Sequence, residues 1–222
     1  MKAKVLKFTI IGALFFASGG SSHAQGAFVN LDFEHPILPL VRDSEFKVPT
    51  ADALPGWTAY IGGNQIDRIV YNTVSLGAAA VSLQTTDGFY PPIQGLYSVG
   101  LQANFPSGIV SAEIAQIGQI PASAKSLVFL ASAGSIFRVS FGGQQVPVVQ
   151  LGATSDHITL AGDISPFAGE VGELRFSGGI FLDAISFSSQ VVPEPSVIAF
   201  SALGMLLLGK RWCWAKVPKR RQ

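Results

Sequence analysis

The sequence has little of the chemistry that most enzymes and metal centres require. Its one cysteine is Cys213, so no disulfide can form within the chain, and zinc or iron–sulfur centres that need several thiolates are excluded. His35 and His157 lie far apart and neither has a second ligand at helical or hairpin spacing. We interpret both histidines as surface or boundary residues.

Catalytic motifs are lacking as well. The sequence contains neither the G-x-S-x-G turn of a serine nucleophile nor a phosphate-binding loop that ends in G-K-[ST]. A carboxylate pair for glycoside hydrolysis cannot be chosen from sequence, because its spacing in space is not visible there. We therefore predict no catalytic residues and no enzymatic activity.

The distribution of charge divides the chain into three parts. Nine of the fifteen cations lie within residues 2–7 and 210–221, so six cations face thirteen carboxylates between Gly26 and Gln190. This central part therefore carries a net charge of about −7, which argues against a nucleic-acid partner, since phosphate binding needs clustered cations. Its length is enough for one hydrophobic core and one domain.

The central part consists of short apolar or alternating runs separated by turn residues, without sustained helical periodicity. This pattern predicts an all-β fold, with a single β-sandwich as the architecture. Among the runs are an alternating stretch at Phe28–Phe33 and a candidate hairpin, Leu127–Ala131 with Ile136–Phe141. Gly142-Gly143 and Gly178-Gly179 are predicted to form tight turns, since glycine tolerates positive φ.

Residues 1–24 have the features of a secretory signal peptide. Lys2, Lys4 and Lys7 precede ten apolar residues, Phe8–Ala17, and Ser22-His23-Ala24 has small residues at positions −3 and −1. We expect cleavage between Ala24 and Gln25. The alternative, a membrane anchor, is disfavoured because a spanning helix needs about 20 apolar residues.

Residues 191–222 combine three features in a fixed order. Pro193-Glu194-Pro195 holds an extended, accessible peptide, because proline disfavours helix at and before its own position. The apolar segment 197–209 follows and can enter a bilayer as a helix, and the cations from Lys210 to Arg221 would hold its far side in the cytoplasm. The alternative is a buried helix with a basic end.

In this order, residues 191–222 resemble the PEP-CTERM sorting signal of Gram-negative bacteria. The resemblance implies export by the Sec machinery, transient anchoring in the inner membrane by a C-terminal helix, and cleavage by a membrane-embedded exosortase. The exported domain, residues 25–190, would then reach the cell surface or the extracellular matrix of a biofilm.

The boundaries of the exported domain show a second resemblance. Asn30-Leu31-Asp32-Phe33-Glu34, Leu54-Pro55-Gly56-Trp57 and Phe181-Leu182-Asp183-Ala184-Ile185-Ser186-Phe187 are similar to motifs of galactose-binding-like carbohydrate-binding modules. That resemblance implies a jelly roll whose first and last strands lie close together. It also implies a structural calcium ion held by Glu34 and Asp183, helped by Asp32 or Asp43. The alternative is that these carboxylates are ordinary surface residues.

Two aromatic positions bear on ligand binding. Trp57 follows a turn and is predicted to belong to the core rather than to a sugar-binding platform. Phe89 and Tyr90 stand between Asp87-Gly88 and two prolines, and they are candidates for an exposed ligand-binding loop. Alternatively, this loop folds over the sandwich and covers it.

These observations favour a non-enzymatic structural or binding protein of the cell surface or matrix, with no cofactor required and a structural calcium ion implied only by the second resemblance. A polysaccharide-binding module is the second hypothesis, and a secreted glycan hydrolase is the third. Exposed aromatic side chains would favour the second, and a cleft with two carboxylates at ~5 to 10 Å would favour the third.

Overall fold

The structure, a computed structural model, describes residues 26–104 and 110–193. These residues form an all-β domain, which confirms the predicted fold class. One short helix, α1 (Thr50–Ala53), and a 3-10 turn at Ser165–Phe167 accompany the strands. The strands are β1 (Lys47–Pro49), β2 (Thr58–Ile61), β3 (Asn64–Ile66), β4 (Arg68–Tyr71), β5 (Ala80–Thr85), β6 (Tyr97–Gln102), β7 (Ala112–Gln119), β8 (Ser126–Ala131), β9 (Ile136–Phe141), β10 (Gln144–Gln145), β11 (Val148–Ala153), β12 (Ile158–Asp163) and β13 (Val171–Ser188).

The long strand β13 belongs to both layers of the sandwich. Its first half, residues 171–179, pairs with β7 and β9 in the first sheet, whose order is β3-β2-β7-β13-β9-β10. Its second half, residues 180–188, pairs with β6 and β8 in the second sheet, whose order is β1-β4-β5-β6-β13-β8-β12-β11. The two sheets are therefore continuous through one strand.

The strand passes from one sheet to the other at Gly178, where the predicted tight turn at Gly178-Gly179 is wrong. Gly178 has φ 127°, and a Cβ atom there would overlap the carbonyl oxygen of Ile136. Glycine is needed at this position for close approach of two strands rather than for chain reversal. The turn predicted at Gly142-Gly143 is confirmed, since it joins β9 to β10 with φ 54° and 79°.

The predicted hairpin between residues 127–131 and 136–141 is wrong, although both strands exist. β8 pairs with β12 and β13 in the second sheet, whereas β9 pairs with β10 and β13 in the first. The short loop around Gly134 therefore crosses between sheets. Each strand pairs with β13 and with one further strand, β12 for β8 and β10 for the end of β9, and the two strands do not pair with each other.

Aromatic side chains from both sheets meet in the core. The ring of Phe176 lies 5.2 Å from that of Phe129 and 6.3 Å from that of Trp57, and Trp57 contacts Phe33 at 5.7 Å. Trp57 is buried, as predicted, and its indole N–H donates to the carbonyl oxygen of Asn30 at 3.0 Å. Burial of such side chains contributes roughly 1.5–3 kcal/mol each, which is the stabilisation available to a domain without disulfides.

The predicted strand Phe28–Phe33 is wrong, because this stretch forms an irregular segment that ends in a turn. Asn30 and Phe33 have positive φ, 49° and 58°, which interrupts any regular strand. The segment is held instead by the side chain of Gln116, whose amide accepts from Val29 N at 2.6 Å and donates to Val29 O at 3.0 Å. A buried glutamine thus takes the place of a neighbouring strand.

The bend at Gly178 leads to the first prediction. Gly178→Ala should lower the free energy of unfolding by about 2–4 kcal/mol, because the new methyl group overlaps a carbonyl oxygen at a backbone conformation that alanine disfavours. Chemical denaturation measures the change. Gly152→Ala is the matched control, since a Cβ there meets nothing within 4 Å. Equal stabilities of the two variants would contradict this account of the bend.

Candidate functional site

The segment 30–34 and the second half of β13 lie side by side. The amide of Ile185 donates to the carbonyl oxygen of Leu31 at 2.9 Å. β13 is irregular here, with a register shift between Asp183 and Ser186 and a positive φ of 47° at Ala184. Bulges of this kind redirect a side chain. The structure thereby brings Glu34 and Asp183 to the same short segment, residues 94–97.

Glu34 holds one end of this segment. Its Oε1 accepts hydrogen bonds from the amides of Leu96 at 2.8 Å and Tyr97 at 3.1 Å. Gly95 has φ 63°, and a Cβ atom there would overlap the carboxylate of Glu34. A side chain at position 95 would therefore displace Glu34, which explains why glycine occupies it.

Asp183 holds the same segment from the sheet. It is 1% exposed, and its carboxylate accepts from the amides of Gln94 at 3.0 Å and Ala184 at 2.6 Å. Burial raises the pKa of Asp183 to about 7, and the negative charges of Glu34 and Asp32 add to the increase. The two amide donors lower the pKa but do not offset the burial.

The residues at this site fit calcium in the chemistry of their donors. Glu34 and Asp183 are carboxylates, which calcium prefers, and both accept hydrogen bonds from backbone amides of one segment, residues 94–97. Asp32 is near enough to raise the pKa of Asp183. Asp43 is engaged elsewhere, since it accepts from Arg68 and from the amides of the 43–47 loop.

Carboxylates alone do not form a metal site in this domain. Within residues 26–104 and 110–193, no three His, Cys, Asp or Glu side chains are placed to hold one metal ion. Any cation at Glu34 and Asp183 therefore needs neutral oxygen ligands as well. Amide, hydroxyl and backbone carbonyl groups can supply these.

The aromatic pair Phe89 and Tyr90 lies on the loop that joins β5 to β6. The ring of Tyr90 packs on Phe181 of β13 with centroids 5.0 Å apart, so this part of the loop folds over the outer face of the second sheet. Phe89 rests edge-on against Tyr90 at 5.0 Å and is 81% exposed. Both features considered from the sequence are thus present: the loop covers the sheet and also presents an aromatic ring to solvent.

A cavity adjoins this aromatic pair. It has a volume of about 360 Å³, and aliphatic, small and polar residues line it together with Tyr90 and Phe181. Ser82, Gln102, Ser132 and Ser135 are among its lining residues. A shallow cavity with an aromatic wall and several hydroxyl and amide groups can bind a polar ligand with an apolar face.

Two carboxylates also approach each other on the outer face of the first sheet. Glu113 and Glu173 both bind Arg175, with the Arg175 Nε to Glu173 Oε1 distance at 2.8 Å, and the guanidinium lies 4.4 Å from the ring centroid of Tyr60. Glu173 and Glu113 raise the pKa of Arg175. Their charges are thus compensated by one arginine, which is the arrangement of a structural ion-pair network rather than of a general acid and base.

Several residues singled out in the sequence are surface residues or fall outside the described ranges. His35 is exposed and His157 is half-buried. Pro193 is exposed, while Ala24, Gln25, Glu194 and Pro195 lie outside the described residues. The described part of the chain contains no helix that is long and apolar enough to cross a membrane.

Sequence reasoning missed the 94–97 segment as the partner of both carboxylates. Gln94 and Gly95 contribute backbone amides and space rather than side-chain chemistry, so no motif marks them. The one local signal is the cluster of proline and glycine at residues 91–95, which predicts a loop without indicating where it packs.

Comparisons with known proteins give little further information. No family model matches the chain, and no curated protein matches it. One similar solved structure is the enzymatically active domain of tailspike protein 4 from bacteriophage CBA120, with 16% identity and a TM-score of 0.35. The match covers 60% of this chain and 19% of that chain. This TM-score is too low to support a conclusion about the fold or the function of this protein.

Proposed function

We propose that this protein is exported, processed by an exosortase, and placed at the cell surface or in the extracellular matrix of a Gram-negative bacterium. The observation that carries the proposal is the order Pro193-Glu194-Pro195, apolar segment 197–209 and basic residues 210–221, which resembles the PEP-CTERM signal. The signal-peptide features of residues 1–24 support it independently. Sec machinery and exosortase are the partners that this function requires.

The exported domain, residues 25–190, has a structural or binding role in this proposal rather than a catalytic one. Its finer architecture is a jelly roll. The contact between Leu31 and Ile185 supports this, because the beginning and the end of the domain lie together as that fold requires. The exposed Pro193 follows directly on the domain, since the carbonyl of Gln190 still accepts from Ser126 at 2.9 Å. A protease could therefore reach the motif without unfolding the domain.

A structural calcium ion is part of the proposal. Glu34 and Asp183 would hold it, and the ion would supply the positive charge that these neighbouring carboxylates lack. In a domain without disulfides, such an ion would connect the 30–34 segment, β13 and the 94–97 segment. Its role is to stabilise the fold, which distinguishes it from a catalytic metal.

Polysaccharide binding is the second candidate function. Phe89 favours it, because its ring is 81% exposed and packs edge-on against Tyr90, which lines the cavity of about 360 Å³. Such a ring is suited to stack on a sugar ring. The ring of Tyr90 in turn packs against Phe181 of β13. The extracellular matrix would supply a ligand of this class.

The sorting proposal predicts the effect of removing residues 193–222. In a bacterium with an exosortase, the shortened protein should be neither processed nor retained at the surface. Fractionation and immunoblotting measure both. The melting temperature of the shortened protein is the control, and it should match that of the processed protein because the contacts of Ser126 with Gln190 remain. Normal processing and retention of the shortened protein would refute the sorting proposal.

The calcium proposal predicts that calcium raises the melting temperature of the protein relative to a chelator. A ligand at about 100 times its dissociation constant stabilises by about 2.7 kcal/mol, which corresponds to roughly 5–10 °C for a domain of this size. Asp183→Asn and Glu34→Gln should each reduce the shift strongly. Glu170→Gln is the control, because Glu170 is exposed and away from the site. A shift that is absent, or unchanged in Asp183→Asn, would refute the calcium proposal.

The second candidate function predicts that Phe89→Ala weakens binding to exopolysaccharide extracted from the producing bacterium by about threefold to tenfold, since aromatic stacking contributes about 0.5–1.5 kcal/mol. Affinity electrophoresis measures the binding. Leu76→Ala is the matched control, because Leu76 is equally an exposed apolar side chain and lies on a different loop. Equal binding by both variants would argue against a sugar site at Phe89.

A further inference from the structure

Residues 86–96 form a strap across the outer face of the second sheet. The strap begins at Thr85, whose amide and hydroxyl are both held by the side chain of Asn72 at 2.7 Å. Tyr90 packs on the ring of Phe181 in the middle of the strap. Asp183 binds the amide of Gln94 near its end, so the strap is held at three places along β5, β13 and the β4–β5 connection.

Beneath the strap, three oxygen-bearing side chains lie in one row across three strands. Gln84 of β5 is the direct partner of Ser98 of β6. Phe181 of β13 is opposite Gly100 of β6, so Asp183, two residues further along β13, reaches the level of Ser98. Antiparallel strands bring such residues into neighbouring positions on the same face.

The alternation along these strands directs the row to the outer face. Val99 and Leu182 are 0% exposed and belong to the hydrophobic core between the sheets. Their neighbours Ser98 and Asp183 therefore point the other way, toward the strap. The Nε2 atom of Gln84 donates to Ser82 Oγ, which donates to the carbonyl of Gly100, so these groups share that outer face.

Two atoms of the row have no hydrogen-bond partner among residues 26–104 and 110–193. They are Gln84 Oε1 and Ser98 Oγ, on side chains that are both 0% exposed. Buried polar atoms are nearly always paired in native proteins, so two unpaired oxygens on adjacent strands indicate that a further group belongs there. Gln84 Oε1 can only accept, which requires a cation or a hydrogen-bond donor.

The charge around the row favours a cation over a neutral hydrogen-bond donor. Asp183 is buried, and every hydrogen bond that it accepts within the described residues comes from a backbone amide. The charged groups that act on it are Glu34 and Asp32, which are both negative. No lysine or arginine of the described residues forms an ion pair with Asp183 or Glu34. A buried carboxylate with only negative neighbours lacks a counter-charge.

We propose that Gln84 Oε1 and Ser98 Oγ are neutral ligands of a calcium ion that Asp183 binds between the strap and the second sheet. Amide, hydroxyl and carboxylate oxygens are the donors that calcium takes. The inference rests on the calcium ion of the proposed function and adds the ligands that its carboxylates alone do not provide. The ion would also fix the strap, and with it the position of Phe89 and Tyr90.

The experiment compares two buried serines of the second sheet in the full chain. Ser98→Ala removes an oxygen that makes no hydrogen bond within the described residues, whereas Ser126→Ala removes one that is already bonded to the carbonyl oxygen of Gln190. Calorimetric titration with calcium should give at least a tenfold weaker affinity for Ser98→Ala. Ser126→Ala should remain within about twofold of the unaltered protein.

Hydrogen exchange supplies a second measurement. In the unaltered protein, calcium should slow the exchange of the amides in residues 86–96, and Ser98→Ala should lose most of this protection. Gln84→Met, which keeps the length of the side chain, should also weaken calcium binding. Melting in chelator shows whether each variant is folded before calcium is added.

The outcomes separate this inference from the calcium proposal. If Asp183→Asn abolishes calcium binding but Ser98→Ala binds normally, the calcium proposal stands and the assignment of Ser98 is wrong. If Ser98→Ala changes the melting temperature equally in calcium and in chelator, a buried water rather than a cation bridges the row, and the inference is overturned. If the unaltered protein binds no calcium, both proposals fail.

Discussion

The pairing of β13 with four other strands is the constraint on which the rest of the domain depends. Along its eighteen residues this strand pairs with β7 and β9 in one sheet and with β6 and β8 in the other. The bend at Gly178 lets one strand belong to both sheets. The relative position of the two sheets is therefore set by a backbone ladder, in a domain where no disulfide can set it.

This arrangement also buries the carboxylate of Asp183, and burial destabilises its ionised form. Asp183 lies five residues after the bend and is covered by the strap, so its carboxylate is withdrawn from water. The backbone amides of Gln94 and Ala184 stabilise the ionised carboxylate, whereas the negative charge of Glu34 destabilises it. The proposed calcium ion would neutralise this negative charge. It would also give a partner to the buried oxygens of Gln84 and Ser98, which have none within the described residues.

The strap connects the stability of the fold with the exposed aromatic surface. The strap carries the exposed ring of Phe89 and is held at Asp183, so a cation at that point would order both the fold and the aromatic surface. A domain without disulfides relies on its core, and a bound ion would add to that stability. The acidic net charge of residues 26–190 is compatible with cation binding.

The sequence by itself determined the all-β class, the burial of Trp57 and the turn at Gly142-Gly143, while the division of the chain into three parts stays a prediction. These properties follow from local patterns, such as alternation, glycine pairs and the order of apolar and basic segments. The sequence also identified Glu34 and Asp183 as a pair, and the structure brings both to residues 94–97.

Only the tertiary structure decided which strands pair and what surrounds the two carboxylates. The short loop at Gly134 predicted a hairpin, yet β8 and β9 belong to different sheets because β13 takes an edge of each. Gln84 and Ser98 belong to no sequence motif. The role of a buried amide or hydroxyl group depends on the atoms that surround it in the folded protein. Pairing between strands that are distant in sequence depends on competition among all edges, and local patterns contain no information about that competition.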